Sequence, residues 1–184
     1  MKHTYVLTLA LAFPLGTAEA NAPLNLPLLT TAPALAQQVP EGVQVVRGDR
    51  WSFAIPQDWQ ATQYASPNIG NVSLVAQYES PDGAIFVNMV TEPYPGDATS
   101  YLELNLQNMQ TFGFVIHSQK PIMMGSLAGA EVESSLPEIG IRVLQRFAIA
   151  NQTGYVLTCR TLEDAFSEYR SQCSQILNTL QVNP

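Results

Sequence analysis

Residues 141–160 read IRVLQRFAIANQTGYVLTCR, two apolar runs separated by the short polar segment 151–154. A short connection containing Asn and Gly between two such runs predicts an antiparallel β-hairpin. If the connection is a type I turn with a Gly bulge, Phe147 lies opposite Cys159. One face of the hairpin then carries Val143, Phe147, Ile149, Tyr155, Leu157 and Cys159. Because the opposite parity would bring Arg146 into the core, we predict this register.

The chain that follows the hairpin has the pattern of an amphipathic helix. Thr161 and Asp164 are spaced to cap its N-terminus. Its apolar stripe comprises Phe166, Tyr169, Cys173, Ile176, Leu177 and Leu180. A stripe at this spacing is expected to pack against the sheet.

The two cysteines of the chain, Cys159 and Cys173, fall on the last strand and the last helix. From a pivot near Glu163, Cys159 lies about 13 Å back along the strand and Cys173 about 15 Å forward along the helix. The two side chains therefore lie at nearly the same distance from the strand-to-helix connection, and we predict a disulfide between them. The alternatives are two buried thiols or a catalytic cysteine.

Upstream of the hairpin, the sequence alternates between strand patterns and one helix. Residues 72–78 and 84–91 flank the turn segment SPDG at 80–83, which predicts a second hairpin. A helix is predicted at 99–112, with Ser100 and Glu103 as a capping box. Shorter strands are predicted at 50–55, 59–64, 114–117, 121–124 and 130–134.

These patterns predict the fold class α/β (α+β). Residues 84–90 are almost continuously apolar, which indicates a strand that is covered on both faces. We therefore predict a central, mostly antiparallel sheet with helices on both faces, that is, a three-layer α/β/α sandwich.

The first 20 residues have the pattern of a signal peptide: a mildly positive start, an apolar run of about 11 residues and a small-residue cleavage site. A second cleavage site occurs as late as residue 36, so residues 21–40 are interpreted as a processed or flexible lead-in. The alternative is an uncleaved membrane anchor, which the proline-broken apolar stretch disfavours. Residues 41–184 are predicted to form a single domain, not membrane-spanning after processing.

Composition excludes some functions. The 184 residues include 8 Lys and Arg against 15 Asp and Glu, for a formal net charge of −7, so nucleic acid is not expected as a partner. Only 12% of the residues are charged, which leaves a largely neutral polar surface. Together with the signal peptide, this predicts an exported protein, periplasmic or secreted.

The sequence offers little catalytic chemistry. His117 is the only histidine beyond the signal peptide, so a histidine-based metal cluster cannot be built within one chain. We interpret His117 as an ordinary strand residue, with a general base as the alternative. The sequence contains no nucleophile-elbow or phosphate-loop motif. No catalytic residue, metal ligand or cofactor is predicted.

Charged residues recur on the predicted sheet. Glu131 and Glu133 lie two positions apart and therefore on one face of a strand. Arg142, Arg146 and Arg160 are expected to project from the same sheet. We interpret the set as a salt-bridged polar stripe, and the alternative is an anion-binding or partner-protein site.

Three segments together resemble a known family. They are WSFAIPQDW at 51–59, GYVLTC at 154–159 and the helix 166–180. In this order they resemble the PsbP-like group of small exported domains, which includes the DcrB-type periplasmic proteins, over about residues 48–182. The resemblance implies an antiparallel sheet sandwiched between helices, no shared catalytic centre, and a role as an accessory or binding protein on larger assemblies.

We therefore predict a non-enzymatic exported accessory or binding protein that contacts another exported or membrane protein as a monomer. A photosynthetic source would place it in the thylakoid lumen. The leading contact candidate is the loop 92–97 with Tyr94 and Pro95, because proline and tyrosine offer a rigid apolar surface. One alternative is a small-molecule or lipid carrier with a cavity near Met89, Met109, Met123 and Met124. The other is a hydrolase that uses His117.

Overall fold

The structure is a computed structural model that describes residues 42–62 and 71–183. The strands are β1 (Val43–Arg47), β2 (Trp51–Pro56), β3 (Gln60–Ala61), β4 (Ser73–Glu79), β5 (Phe86–Pro93), β6 (Val115–Met124), β7 (Leu127–Leu136), β8 (Ile141–Ala150), β9 (Thr153–Leu162) and β10 (Gln181–Val182). The helices are α1 (Ala98–Thr111) and α2 (Phe166–Asn178), and a 3₁₀ turn covers Pro137–Ile139. Neither described helix is long and apolar enough to cross a membrane. The predicted signal peptide, its cleavage sites and the lead-in lie outside the described residues.

The described strands form two sheets. Seven strands pair antiparallel in the order β3-β4-β5-β9-β8-β7-β6. A separate sheet has the order β1-β2-β10, also antiparallel, so the prediction of one central sheet is incomplete. The strand pattern at 50–55 predicts a half-buried strand but not its partners. One partner is β10, which lies more than 100 residues later in the sequence and pairs with β2 only in the folded chain.

The register predicted for the β8–β9 hairpin is wrong. Asn151 and Gln152 both adopt left-handed φ values, of 50° and 59°, so the connection is a two-residue turn without a Gly bulge. Phe147 consequently pairs with Val156, and Leu144 pairs with Cys159. Side chains alternate between the two faces of a strand, and the observed register differs from the predicted one by an odd number of residues. The β9 residues that share a face with a given β8 residue are therefore the ones predicted for the opposite face.

Three other local predictions also need correction. The N-cap of α2 is Ala165, without a capping side chain, so Thr161 and Asp164 do not cap this helix as predicted. Helix α1 begins one residue earlier than predicted, and its N-cap is Asp97, whose carboxylate accepts from the backbone N–H of Ser100 at 2.8 Å. The capping box assigned to Ser100 and Glu103 is therefore wrong. The predicted strands at 114–117 and 121–124 belong to one continuous strand, β6.

Buried apolar side chains form two clusters, and alternate residues of β8 contribute to each. The first cluster combines Leu144 of β8 with Cys173 and Leu177 of α2, and it includes Trp51, Phe53 and Ile55 of the small sheet. The second cluster combines Val143 and Phe147 of β8 with Tyr101 and Met109 of α1. We call them the α2 cluster and the α1 cluster.

Candidate functional site

The loop between β5 and α1, residues 94–97, is held in a defined position; we call it the Tyr94 loop. The backbone N–H of Tyr94 donates to the carbonyl oxygen of Gln152 at 2.7 Å, which ties the loop to the β8–β9 turn. The Tyr94 ring lies 4.9 Å from the Tyr101 ring of α1, centroid to centroid. Pro95 remains exposed. Sequence reasoning selected this loop, and the structure gives it an ordered base and an exposed tip.

A buried acid lies at the base of the Tyr94 loop. Glu92 is 8% exposed, and its carboxylate accepts a hydrogen bond from the hydroxyl of Tyr101 at 2.7 Å. Burial raises the pKa of Glu92 above its ordinary value, against the opposing effect of the Tyr101 hydrogen bond. Burial and then the Glu92 charge raise the pKa of Tyr101 well above its ordinary value. Gly154 makes room for this pair, because a Cβ atom there would collide with the Tyr101 ring.

The raised pKa of Glu92 predicts that ionisation of this carboxyl lowers the free energy of unfolding as the pH rises. The contribution of this carboxyl to stability is fully present below its unfolded pKa and is lost as the pH rises through its folded pKa. Glu92→Gln keeps an acceptor for Tyr101 but cannot ionise, so we expect it to raise the free energy of unfolding at pH 7. The gain should vanish towards pH 3, in urea unfolding measured across pH. Glu138→Gln, at an exposed glutamate, is the control, and an equal or lower stability of Glu92→Gln at pH 7 would contradict the prediction.

Charged side chains from β6, β7, β8 and the α2 region form two ion-pair groups, one around Glu131 and one around Glu133, on the same face of the sheet. We call this surface the charged face. It comprises Lys120, Glu131, Glu133, Arg142, Arg146, Glu163 and Arg170. Arg142 contacts Glu133 at 2.6 Å and Glu163 at 2.8 Å, and Glu133 also accepts from Arg170 at 3.1 Å. Two of the three predicted arginines thus lie in a salt-bridged stripe.

Glu131 and Glu133 remain acidic despite their burial. Burial, the largest single influence, raises the pKa of each carboxyl. Hydrogen bonds and charges from Lys120 and Arg146 on Glu131, and from Arg142 and Arg170 on Glu133, together outweigh burial and lower both pKa values. The charged face therefore stabilises the fold above the unfolded pKa values of these two groups and loses this contribution in acid.

Arg146 occupies the interior end of the charged face. It is 8% exposed and contacts Glu131 at 2.8 Å. Its guanidinium also donates to the carbonyl oxygen of Leu177 at 2.9 Å and to the side chain of Asn178. Because α2 has no basic residue in its last turn, Arg146 supplies the positive charge at its C-terminus. Sequence reasoning placed Arg146 outside the core, and the reversed parity of the hairpin brings it inside.

Arg160 lies apart from the other two arginines. It pairs in register with Val143, a residue of the α1 cluster, whereas Arg142 and Arg146 have the alternate parity on β8. Its guanidinium lies 4.4 Å from the centre of the Phe86 ring. All three arginines project from the same sheet, as expected, but Arg160 does so from the opposite face and is not part of the charged face.

The structure joins Cys159 to Cys173 by a disulfide, as the sequence predicts. The Cα atoms are 5.6 Å apart, and both residues are fully buried in the α2 cluster. The bond connects β9 directly to α2, so neither cysteine is available as a nucleophile.

His117 has a partner that sequence reasoning missed. Its Nε2 lies 2.7 Å from the hydroxyl oxygen of Ser135, on the neighbouring strand β7. The register of β6 shifts between Ile116 and Ser118, so His117 occupies an irregularity in the edge strand. Ser135 is 4% exposed and lies within a strand that is paired on both sides. No described carboxylate hydrogen-bonds to His117, and the arrangement anchors the irregularity without presenting an accessible nucleophile.

The four methionines of the carrier alternative do not line one cavity. Met89 and Met124 belong to the α2 cluster, Met109 belongs to the α1 cluster, and Met123 is 66% exposed. A groove of about 450 Å³ lies elsewhere, between β2 and one side of α2. Within residues 42–62 and 71–183, no group of His, Cys, Asp and Glu could hold a metal ion.

This geometry defines a small α+β domain with an antiparallel sheet, an internal disulfide, an ordered loop and a paired set of charges. No family profile and no curated protein matches the sequence. Solved structures do match: the solution structure of cyanobacterial PsbP (CyanoP) from Synechocystis sp. PCC 6803 superposes with a TM-score of 0.59 at 11% identity, over 81% of this chain and 97% of that chain. PA94, a protein of unknown function from Pseudomonas aeruginosa, superposes with a TM-score of 0.51 at 18% identity, over 77% and 98%. The chain therefore has a PsbP-like fold, and at these identities the likeness concerns the fold alone.

Proposed function

We propose that this chain is an exported, non-enzymatic accessory protein that binds a component of a larger envelope or membrane assembly through the Tyr94 loop. The buried disulfide supports export, because disulfides persist in oxidising compartments. Residues 1–20 would act as the signal peptide, and the domain from about residue 41 would act as a monomer. The compartment would be the periplasm, the exterior or, in a photosynthetic source, the thylakoid lumen.

The observation that carries the proposal is the order of the Tyr94 loop. Proline at position 95 restricts the backbone, the Tyr94 N–H is bonded to Gln152, and the Tyr94 ring packs on Tyr101. A surface that is already ordered loses little conformational entropy when a partner binds. Pro95 and the edge of the Tyr94 ring would form the apolar centre of the contact.

The charged face would contribute in a secondary way. Lys120 and Arg170 expose 60% and 52% of their side chains, and Arg142 exposes 16%. Exposed charges of this kind steer and orient a partner more than they add affinity. Arg146 is buried, so it would hold the ion pairs of the charged face in place without contacting the partner. Arg160 would contact a partner from the opposite face of the sheet.

We further propose that the architecture is the three-layer sandwich predicted from the sequence. Successive residues of a strand point to opposite faces of a sheet. The alternation of β8 residues between the α1 cluster and the α2 cluster supports one helix on each face. In that arrangement both sheet faces are occupied, and loops and strand edges are left for partner contacts.

A site-specific crosslink tests the proposed function. A photo-crosslinking amino acid is placed at Pro95 or, as a matched control, at Glu138 in the exposed 3₁₀ turn. These sites lie near opposite ends of the ten-residue strand β8, about 30 Å apart. After irradiation in the native compartment, we expect one stoichiometric envelope or membrane complex to be captured from position 95 and not from position 138. Equal capture from both positions, or capture of abundant bystanders only, would count against the proposal.

A further inference from the structure

The two helices are attached to the sheet in different ways. Helix α2 is joined to β9 by the disulfide and receives the Arg146 guanidinium at its C-terminus, and the Tyr169 hydroxyl reaches Asp82 at 3.3 Å. On α1, by contrast, the described side chains make one hydrogen bond to the sheet, from Tyr101 to Glu92. The attachment of α1 thus depends on packing and on one bond to a buried acid.

The surface beneath α1 contains polar groups without partners. Asn105 of α1, Gln145 of β8 and Ser134 of β7 are each at most 1% exposed. Within the described chain, the Asn105 Oδ1, Gln145 Oε1 and Ser134 Oγ atoms are buried and have no hydrogen-bond partner. Gln145 and Ser134 have the same strand parity as Val143, so all three residues belong to the layer between α1 and the sheet.

Each of these unpaired groups favours an open state. A buried acceptor without a donor costs free energy that is recovered as soon as water reaches it. Glu92 adds to this effect, because burial disfavours its charged form. Glycines lie next to both ends of α1: Gly96 precedes the N-cap, and Gly113 follows the helix with a φ of 87°.

We propose that α1 is a reversible lid that lifts from the sheet while α2 and the sheet stay folded. The open state hydrates the polar layer of Asn105, Gln145 and Ser134. It also exposes the apolar side chains of the α1 cluster, such as Met109 and Phe147. The closed state is the one described above, and the open state is a minor population in exchange with it.

Hydrogen exchange of the full chain, measured by mass spectrometry, tests the lid directly. We expect amides of α1 to exchange at least about tenfold faster than amides of α2, because sub-global opening requires less free energy than global unfolding. Asn105→Leu and Ser134→Ala remove unpaired polar atoms, so each should slow α1 exchange by about tenfold. Gln107→Leu, at an exposed position of the same helix, should leave it unchanged.

The outcomes separate a lid from a merely less stable protein. Exchange of the α1 amides that is faster than that of the α2 amides and depends only weakly on urea supports the lid, because lifting α1 exposes much less surface than global unfolding does. Equal protection of the two helices in the native protein would overturn the proposal. It would also be overturned if neither variant slows α1 exchange. Ser134→Ala keeps the test valid if Asn105→Leu fails to fold, since it removes a single oxygen atom.

Discussion

Arg146→Met is expected to lower the free energy of unfolding by about 3–5 kcal/mol, the cost of leaving a buried charge without its partner. Methionine fills much of the same volume, so the loss arises mainly from charge and hydrogen bonding. Glu131 would keep only its ion pair with Lys120, whose side chain is 60% exposed. The backbone carbonyl oxygen of Leu177, near the C-terminus of α2, would lose the hydrogen bond that Arg146 donates. Urea or thermal unfolding at pH 7 measures the change.

Two variants determine whether burial causes this effect. Arg170→Met removes a half-exposed arginine from the same face and should cost no more than about 1 kcal/mol. In Glu131→Gln/Arg146→Met the unpaired carboxylate is also gone, and much of the lost stability should return. If Arg146→Met costs no more than Arg170→Met, Arg146 does not hold α2 to the sheet as described.

Removal of the disulfide, in Cys159→Ala/Cys173→Ala, is the second large expected effect. The bond closes a loop with a sequence separation of 14, for which the restriction of the unfolded chain corresponds to about 3 kcal/mol. Small cavities left by the two sulfur atoms in the buried α2 cluster add to this loss. We expect urea unfolding of this variant to show a midpoint well below that of the oxidised protein.

A reductant supplies the matched comparison. Reduced wild-type protein should unfold close to the double variant, whereas the double variant should not respond to the reductant. A wild-type protein whose unfolding midpoint is the same with and without reductant would show that the bond does not stabilise the fold. A free-thiol assay on unfolded, unreduced protein provides an independent check, with two reactive thiols as the contradicting result.

The sequence by itself determined both helices, most of the strands of the large sheet and the pairing of the cysteines, but it did not predict β1 and β10 of the small sheet. Hairpin turns, the apolar stripe of α2 and the fixed rise per residue in strands and helices are local properties. A short strand-to-helix connection therefore places Cys159 level with Cys173 without knowledge of the rest of the fold. The PsbP-like fold was expected on a different ground, the resemblance of the segments 51–59, 154–159 and 166–180 to that family.

Only the tertiary structure decided which faces and which distant residues meet. The turn at Asn151 and Gln152 is two residues long rather than bulged, and this difference of parity moved Arg146 from the surface to the interior. His117 and Ser135 are 18 positions apart in the sequence. They meet because β6 pairs with β7, and no local pattern encodes that pairing. Composition and periodicity report what each residue prefers, whereas register and the choice of neighbouring strand arise from the packing of the whole chain.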